Sequence, residues 1–245
     1  MVNGQSVPEG LLLGMFTTLA NGHLTLVDSS NGQGTVELKA TTGLTDDNGM
    51  TYSYYAYGMI VNYDDDCSIV IEGGKYVADD VYDALVYASC DTEVDNYGKT
   101  VYGVTVDDGY FYLANVGKGS RGNGSPWIFN ARGQQIRSVV VNGGTFNANV
   151  NAQYWVFEVK VDREKALKDN GDGTWTVVDA VAYVNDQHWA SAWYTRETGY
   201  ATLQEAIDAC EGVKTKTVGK KVYTSEAEGV TLLGDINLDG PIVIG

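Results

Sequence analysis

The chain has 245 residues with 32 acidic against 16 basic side chains, a formal net charge of −16 and a pI near 4.3. With only five arginines, that balance argues against nucleic acid as a partner and against docking on an anionic membrane surface. No apolar run reaches the roughly 18–20 residues that span a bilayer, and 44% hydrophobic residues are too many for a disordered chain.

Thirty Gly against three Pro, with abundant Val, Tyr and Thr, point to many short strands joined by tight turns. The start, Met1-Val2-Asn3-Gly4, carries neither a basic n-region nor a small-residue cleavage site. It reads as a protein not exported by that route or as an excised piece with an added Met. Leu24 to Ser30 is a strand running into a polar turn, and Gly34-Thr35-Val36-Glu37-Leu38 continues as a second strand.

Three later segments align with one another: Ile69 to Tyr76, Val104 to Phe111 and Val139 to Phe146. Each reads three β-formers, a polar residue, Gly or Asp, Gly, a variable residue and an aromatic. The spacing is 35 residues in both cases (Gly74 to Gly109, Gly109 to Gly144). A strand, a Gly turn and an aromatic at a fixed period are what stacked solenoid coils produce, since Gly alone takes the left-handed turn conformation without steric cost. Ala84 to Ala88, Trp127 to Asn130 and Tyr154 to Val161 read as further strands, in rungs of roughly 20–25 residues with loops of variable length. Cys67 and Cys90 then become stacked neighbours on adjacent rungs, or, with Cys210, three buried free thiols.

Asp169-Asn170-Gly171-Asp172-Gly173 is a turn feeding a strand over 174–178. One helix follows: Thr202 and Glu205 make a capping box, and Leu203, Ala206, Ile207 and Cys210 form one apolar face before Gly212.

Tyr200 to Ala209, followed by Val230 to Ile236, resembles the opening of right-handed parallel β-helix (pectate-lyase-like) modules in large bacterial cell-surface proteins. The Gly-Gly-aromatic turns resemble their interior rungs. The resemblance implies an all-β solenoid with one short amphipathic capping helix near the C-terminus, in circularly permuted order. Residues 1–194 are expected as solenoid rungs. Residues 195–245 are expected as the capping helix and first strands of a β-helix, completing the same or a neighbouring solenoid.

Function follows as an expectation: a non-catalytic structural or adhesive module, extracellular or at the cell surface, stacking head-to-tail on itself or on neighbouring modules, with glycans as further partners. The alternatives are a polysaccharide lyase or glycosidase, and a virion fibre or tail-spike protein. No catalytic constellation stands out, because His23 and His188 lie far apart and the Asp clusters fit turns and an acidic surface. Asp235, Asn237 and Asp239 match the first half of a Ca2+ loop, although the bidentate acid would fall beyond residue 245. No other cofactor is expected. Trp127 and the run Tyr52, Tyr54, Tyr55 and Tyr57 are the candidate sugar-stacking rings. Leu232, Ile236, Ile242 and Ile244 are the candidate assembly positions.

Overall fold

A computed structural model describes residues 14–19, 21–39, 41–45, 51–54, 58–63, 67–81, 83–88, 94–96, 99–101, 103–118, 126–131, 139–152, 159–189, 193–210, 213–225, 229–235 and 241–242. The protein is mostly β with one helix, and its strands group into parallel-rich sheets. Two compact units divide the chain: residues 1–160 with 171–175, and residues 161–170 with 176–245.

In the first unit, β1 (Phe16–Thr18), β2 (His23–Leu26) and β3 (Thr35–Leu38) go to three different sheets. An antiparallel hairpin of β4 (Thr41–Thr45) and β5 (Thr51–Tyr54) intervenes. The next trio, β6 (Ile60–Asn62), β7 (Ser68–Ile71) and β8 (Lys75–Ala78), then pairs in parallel with β1, β2 and β3 in the same order. The third round is β9 (Ala84–Ala88), a hairpin of β10 (Val94–Asn96) and β11 (Lys99–Val101), then β12 (Val104–Val106) and β13 (Tyr110–Leu113). The fourth is β14 (Trp127–Ala131), β15 (Val139–Val141) and β16 (Thr145–Phe146). Each strand again lies in parallel beside its equivalent of the round before.

The register is the one the repeat specifies. Ile69 faces Val104, which faces Val139, and Tyr76 faces Phe111, which faces Phe146. Around the turns of the last three rounds, equivalent residues are 35 apart (Ile69, Val104 and Val139; Tyr76, Phe111 and Phe146), whereas partners in the sheet of β6, β9 and β14 lie 26 apart (Ile60 and Val86) or 43 apart (Ala84 and Trp127). Hairpins such as β10–β11 are inserted between the strands that pair, so the number of residues per round varies. Side chains facing inward stack in files: Leu26, Ile71, Val106 and Val141 in one, and Val36, Tyr76, Phe111 and Phe146 in another. The rings of Tyr76 and Phe111 stack at 5.2 Å between centroids, and those of Phe111 and Phe146 at 5.4 Å. Phe129 meets the latter pair edge-on at 5.8 and 5.3 Å. Phe111, Phe146 and Phe129 are at most 1% exposed.

Strands β7, β9 and β14 are buried along their whole length, which is why they read as continuous apolar runs. The sheet of β8 and β13 instead alternates, turning Tyr76, Ala78, Phe111 and Leu113 inward and Lys75, Val77, Tyr110 and Tyr112 outward.

A strand β17 (Val159–Val161) leads to the second unit, which is built differently. It holds β18 (Lys165–Asp169), β19 (Trp175–Asp179), β20 (Ala182–Trp189), β21 (Trp193–Tyr200), helix α1 (Leu203–Ala209), β22 (Thr215–Val218), β23 (Lys221–Thr224) and β24 (Val230–Leu232). Strands β20 and β21 form a long antiparallel hairpin, β24 adds antiparallel to β20, and β18 meets β21 in parallel. The two units divide near residue 160, and residues 194 and 195 both lie within β21. The expected capping box is present: Thr202 Oγ1 accepts from Glu205 N at 3.2 Å, and the Glu205 carboxylate accepts from Thr202 N at 2.9 Å. Ala206 is buried on Ala182 and Val184, flanked by Leu203, Cys210, Tyr200 and Val230. Ile207 is only half-buried.

Two substitutions one residue apart separate stacking from surface. Phe111→Ala removes a ring in contact with three others and should cost about 3–5 kcal/mol, whereas Tyr112→Ala, at a side chain 38% exposed, should cost under about 1 kcal/mol. Urea midpoints of the two variants give the comparison, and equal losses would contradict the register.

Candidate functional site

The part of the molecule most strongly specified by the sequence is the turn between the second and third strands of each round. It comprises Glu72-Gly73-Gly74, Asp107-Asp108-Gly109 and Asn142-Gly143-Gly144. The last Gly of each has positive φ, at 103°, 136° and 109°. Successive turns bond to one another: Tyr110 N donates to Gly74 O and Thr145 N to Gly109 O, both at 2.8 Å. Asp107 N donates to Ile71 O and Asn142 N to Val106 O, again at 2.8 Å. A Cβ on Gly143 would lie 2.0 Å from Asp107 O, so a side chain there collides with the round beside it. Asn142 Nδ2 also donates to Asp107 Oδ1 at 2.9 Å, tying the polar first positions together.

The first round closes this edge with a longer loop. Asp28 accepts from Ser30 N and Oγ at 2.8 and 2.5 Å and from Gly32 N at 2.8 Å, and the loop passes through Asn31 and Gly32 at positive φ. These bonds, the Ser30 hydroxyl first, hold the Asp28 carboxyl below its ordinary range. The Asp28 side chain lies over Gly73 of the next round, 3.6 Å from where a Cβ would be. Beneath it the Tyr76 hydroxyl donates to Gly73 O at 2.9 Å. Burial, then the Asp28 charge, pushes the Tyr76 phenol up to about 12.

Beside this edge, the outer face of β8 and β13 presents Tyr110 and Tyr112, with the Lys75 ammonium 5.2 Å from the centre of the Tyr110 ring. Glu72, Asp107 and Asp108 are exposed on the adjoining turns. Aromatic faces next to a row of carboxylates and a lysine can stack on an apolar sugar face and bond to its hydroxyls.

The residues singled out from the sequence fall elsewhere. Trp127 is 6% exposed in β14, so the stacking platform expected there is core. Tyr52 and Tyr54 lie on β5, and Tyr55 and Tyr57 lie outside the described residues. Asp235 is exposed, whereas Asn237 and Asp239 lie outside the described residues. Among the described residues no three His, Cys, Asp or Glu side chains converge to hold a metal ion. Leu232 is 53% exposed in β24 and Ile242 half-buried, while Ile236 and Ile244 lie outside the described residues. His23 Nδ1 sits 2.9 Å from Ser68 Oγ on the next round. His188 stands opposite Tyr194 in β20–β21. Cys67 is fully buried, its sulfur accepting from Asn62 Nδ2 at 3.1 Å, and Cys90 lies outside the described residues.

Buried polar groups are what the sequence reading missed. Asn62, fully buried, donates to Cys67 O at 2.9 Å and approaches Thr18 Oγ1 of the preceding round at 3.3 Å. Asp83, 3% exposed, accepts from Asn130 Nδ2 at 2.7 Å. Asn147 donates to Leu113 O and accepts from Leu113 N, at 2.9 and 3.0 Å. Asn115 Nδ2 donates to the Asp80 carboxylate 35 residues earlier, and burial raises the Asp80 pKa against that bond. Each of these bonds joins neighbouring rounds or closes the path between two strands, and so fixes register. Comparison with family models, with curated proteins and with solved structures found no match for this chain.

The Tyr76 phenol gives a pH test. Its folded pKa lies above the unfolded value of 10, so the unfolded chain releases this proton first and stability falls as pH rises from about 10 towards 12. Tyr76→Phe keeps the ring stack and should flatten that loss by on the order of 1–2 kcal/mol. Urea titrations of both proteins at several alkaline pH values measure the difference.

Proposed function

We propose that the rounds of the first unit wind as a right-handed parallel β-helix, and that the chain is a non-catalytic structural and adhesive module of an extracellular or surface-exposed protein. The observation that carries this reading is the recurrence itself: strands from successive rounds join the same three sheets in the same order and register. The right hand follows from chain sterics, since parallel crossovers take that hand in about 98% of cases. Handedness and coiling also agree with the pectate-lyase-like resemblance of the turns and of the helix after Tyr200.

Such a coil is a spacer. Its paired backbone leaves few sites for a protease outside the inserted hairpins, and its negative charge discourages pairing of the terminal strands with unrelated chains. Adhesion is assigned to the outer face of β8 and β13, where Tyr110 and Tyr112 lie beside the acidic turns. The partners are other copies or neighbouring modules, with glycans as ligands of the tyrosine face. No helix among the described residues is long and apolar enough to cross a membrane.

The test is a paired assay on the full chain. Proteinase K should cut first in the inserted segments while strands β6 to β16 persist as a protected core. Incubation with pectins, alginates and other acidic polysaccharides, with added Ca2+, should yield neither unsaturated products nor new reducing ends. Turnover abolished by a chelator would overturn the structural reading in favour of a lyase. A glycan retained by the wild type should be lost with Tyr110→Ala/Tyr112→Ala.

A further inference from the structure

The hairpin β22–β23 is a short basic segment in an acidic chain. Residues 213–225 hold four lysines, Lys214, Lys216, Lys220 and Lys221, and no acid, in a chain of net charge −16. The two strands form a sheet of their own, and all but one of their residues are exposed, including Val218 and Val222 at 50% and 59%. Pairing of Lys216 with Tyr223 and of Val218 with Lys221 puts these four side chains on one face. The Lys221 ammonium lies 4.6 Å from the centre of the Tyr223 ring. A two-stranded ribbon with so little burial is marginal in water, and a partner on that face would stabilise it.

We infer that this cationic face is a docking surface for a second copy of the chain, received on the acidic turn edge of that copy's first unit. The inference deepens the proposed assembling module and rests on that reading. The acceptor is the exposed row Glu72, Asp107 and Asp108. Glu72 and Asp107 there are separated by one strand spacing, about 4.8 Å, which is also the separation of the two hairpin strands. Lysines on a ribbon can therefore face carboxylates on successive rounds. Donor and acceptor are different surfaces, so the contact is heterologous, head-to-tail.

Sedimentation velocity of the full chain over a range of concentrations at low and physiological salt tests this. Association that grows with concentration and weakens with salt is expected. K216E/K221E should weaken it by about tenfold or more with an unchanged far-ultraviolet circular dichroism spectrum and melting temperature. E72K/D108K should do the same, and mixing the two variants should restore a heterologous complex. A monomer at every concentration, or association indifferent to both pairs of substitutions, would overturn the proposal. So would hairpin-dependent binding to heparin or to anionic vesicles without self-association. A failure of the coil reading would appear in the protease map and leave these sedimentation outcomes to stand or fall on their own.

Discussion

The first unit depends on one constraint: its second, third and fourth rounds must make the same tight turn at the same height, because each turn donates its hydrogen bonds to the one before. The bonds from Tyr110 N to Gly74 O and from Thr145 N to Gly109 O exist only if Gly74, Gly109 and Gly144 all take positive φ. Once they do, the residue two places on is carried to the same inward position each time. Tyr76, Phe111 and Phe146 are stacked rings for that reason, and the aromatic file is a consequence of the turn as much as a cause of it. The buried amide of Asn62 and the half-buried one of Asn147 then tie neighbouring rounds together, and a slip at Asn62 would leave polar atoms unpaired inside the core.

This explains which parts of the structure the sequence could reveal. The turn requires Gly at one position and an aromatic two later, so its signature survives at a fixed spacing and the register follows from it. The first strand of each round carries no such mark. Ile60–Asn62, Ala84–Ala88 and Trp127–Ala131 share a place in one sheet without sharing a residue pattern, so Phe129 could not be assigned to the aromatic cluster in advance. Trp127 looked like an exposed ring for the same reason: a strand buried on both faces has no alternation to say which way a side chain points. The length of a round varies because hairpins such as β10–β11 are inserted without disturbing the register. In the second unit the helix was legible from its cap and apolar spacing. The antiparallel pairing of β20 with β21 was not, since long-range pairing leaves no local trace.

The same layering separates stability from recognition. Conserving the fold asks only for the inward files and the glycines, which leaves the outer face of β8 and β13, the polar turn positions and the β22–β23 hairpin free to carry contacts. On the outer face lie tyrosines beside a lysine; on the turns, carboxylates; on the hairpin, lysines around a tyrosine. An acidic scaffold with a basic ribbon has opposite charges available for contact between copies, and the proposed module uses both.

Removal of one whole round tests the central claim most directly. Deleting residues 75–109 joins Gly74 to Tyr110, so the turn, the inward aromatic and the parallel register are all regenerated at the junction. The account predicts a cooperatively unfolding protein with the β circular dichroism of the parent and a lower midpoint, whereas deleting about half as many residues from the same start should abolish the transition. If the full-round deletion unfolds without cooperativity, or the half-round deletion folds equally well, the stacked turn does not set the register.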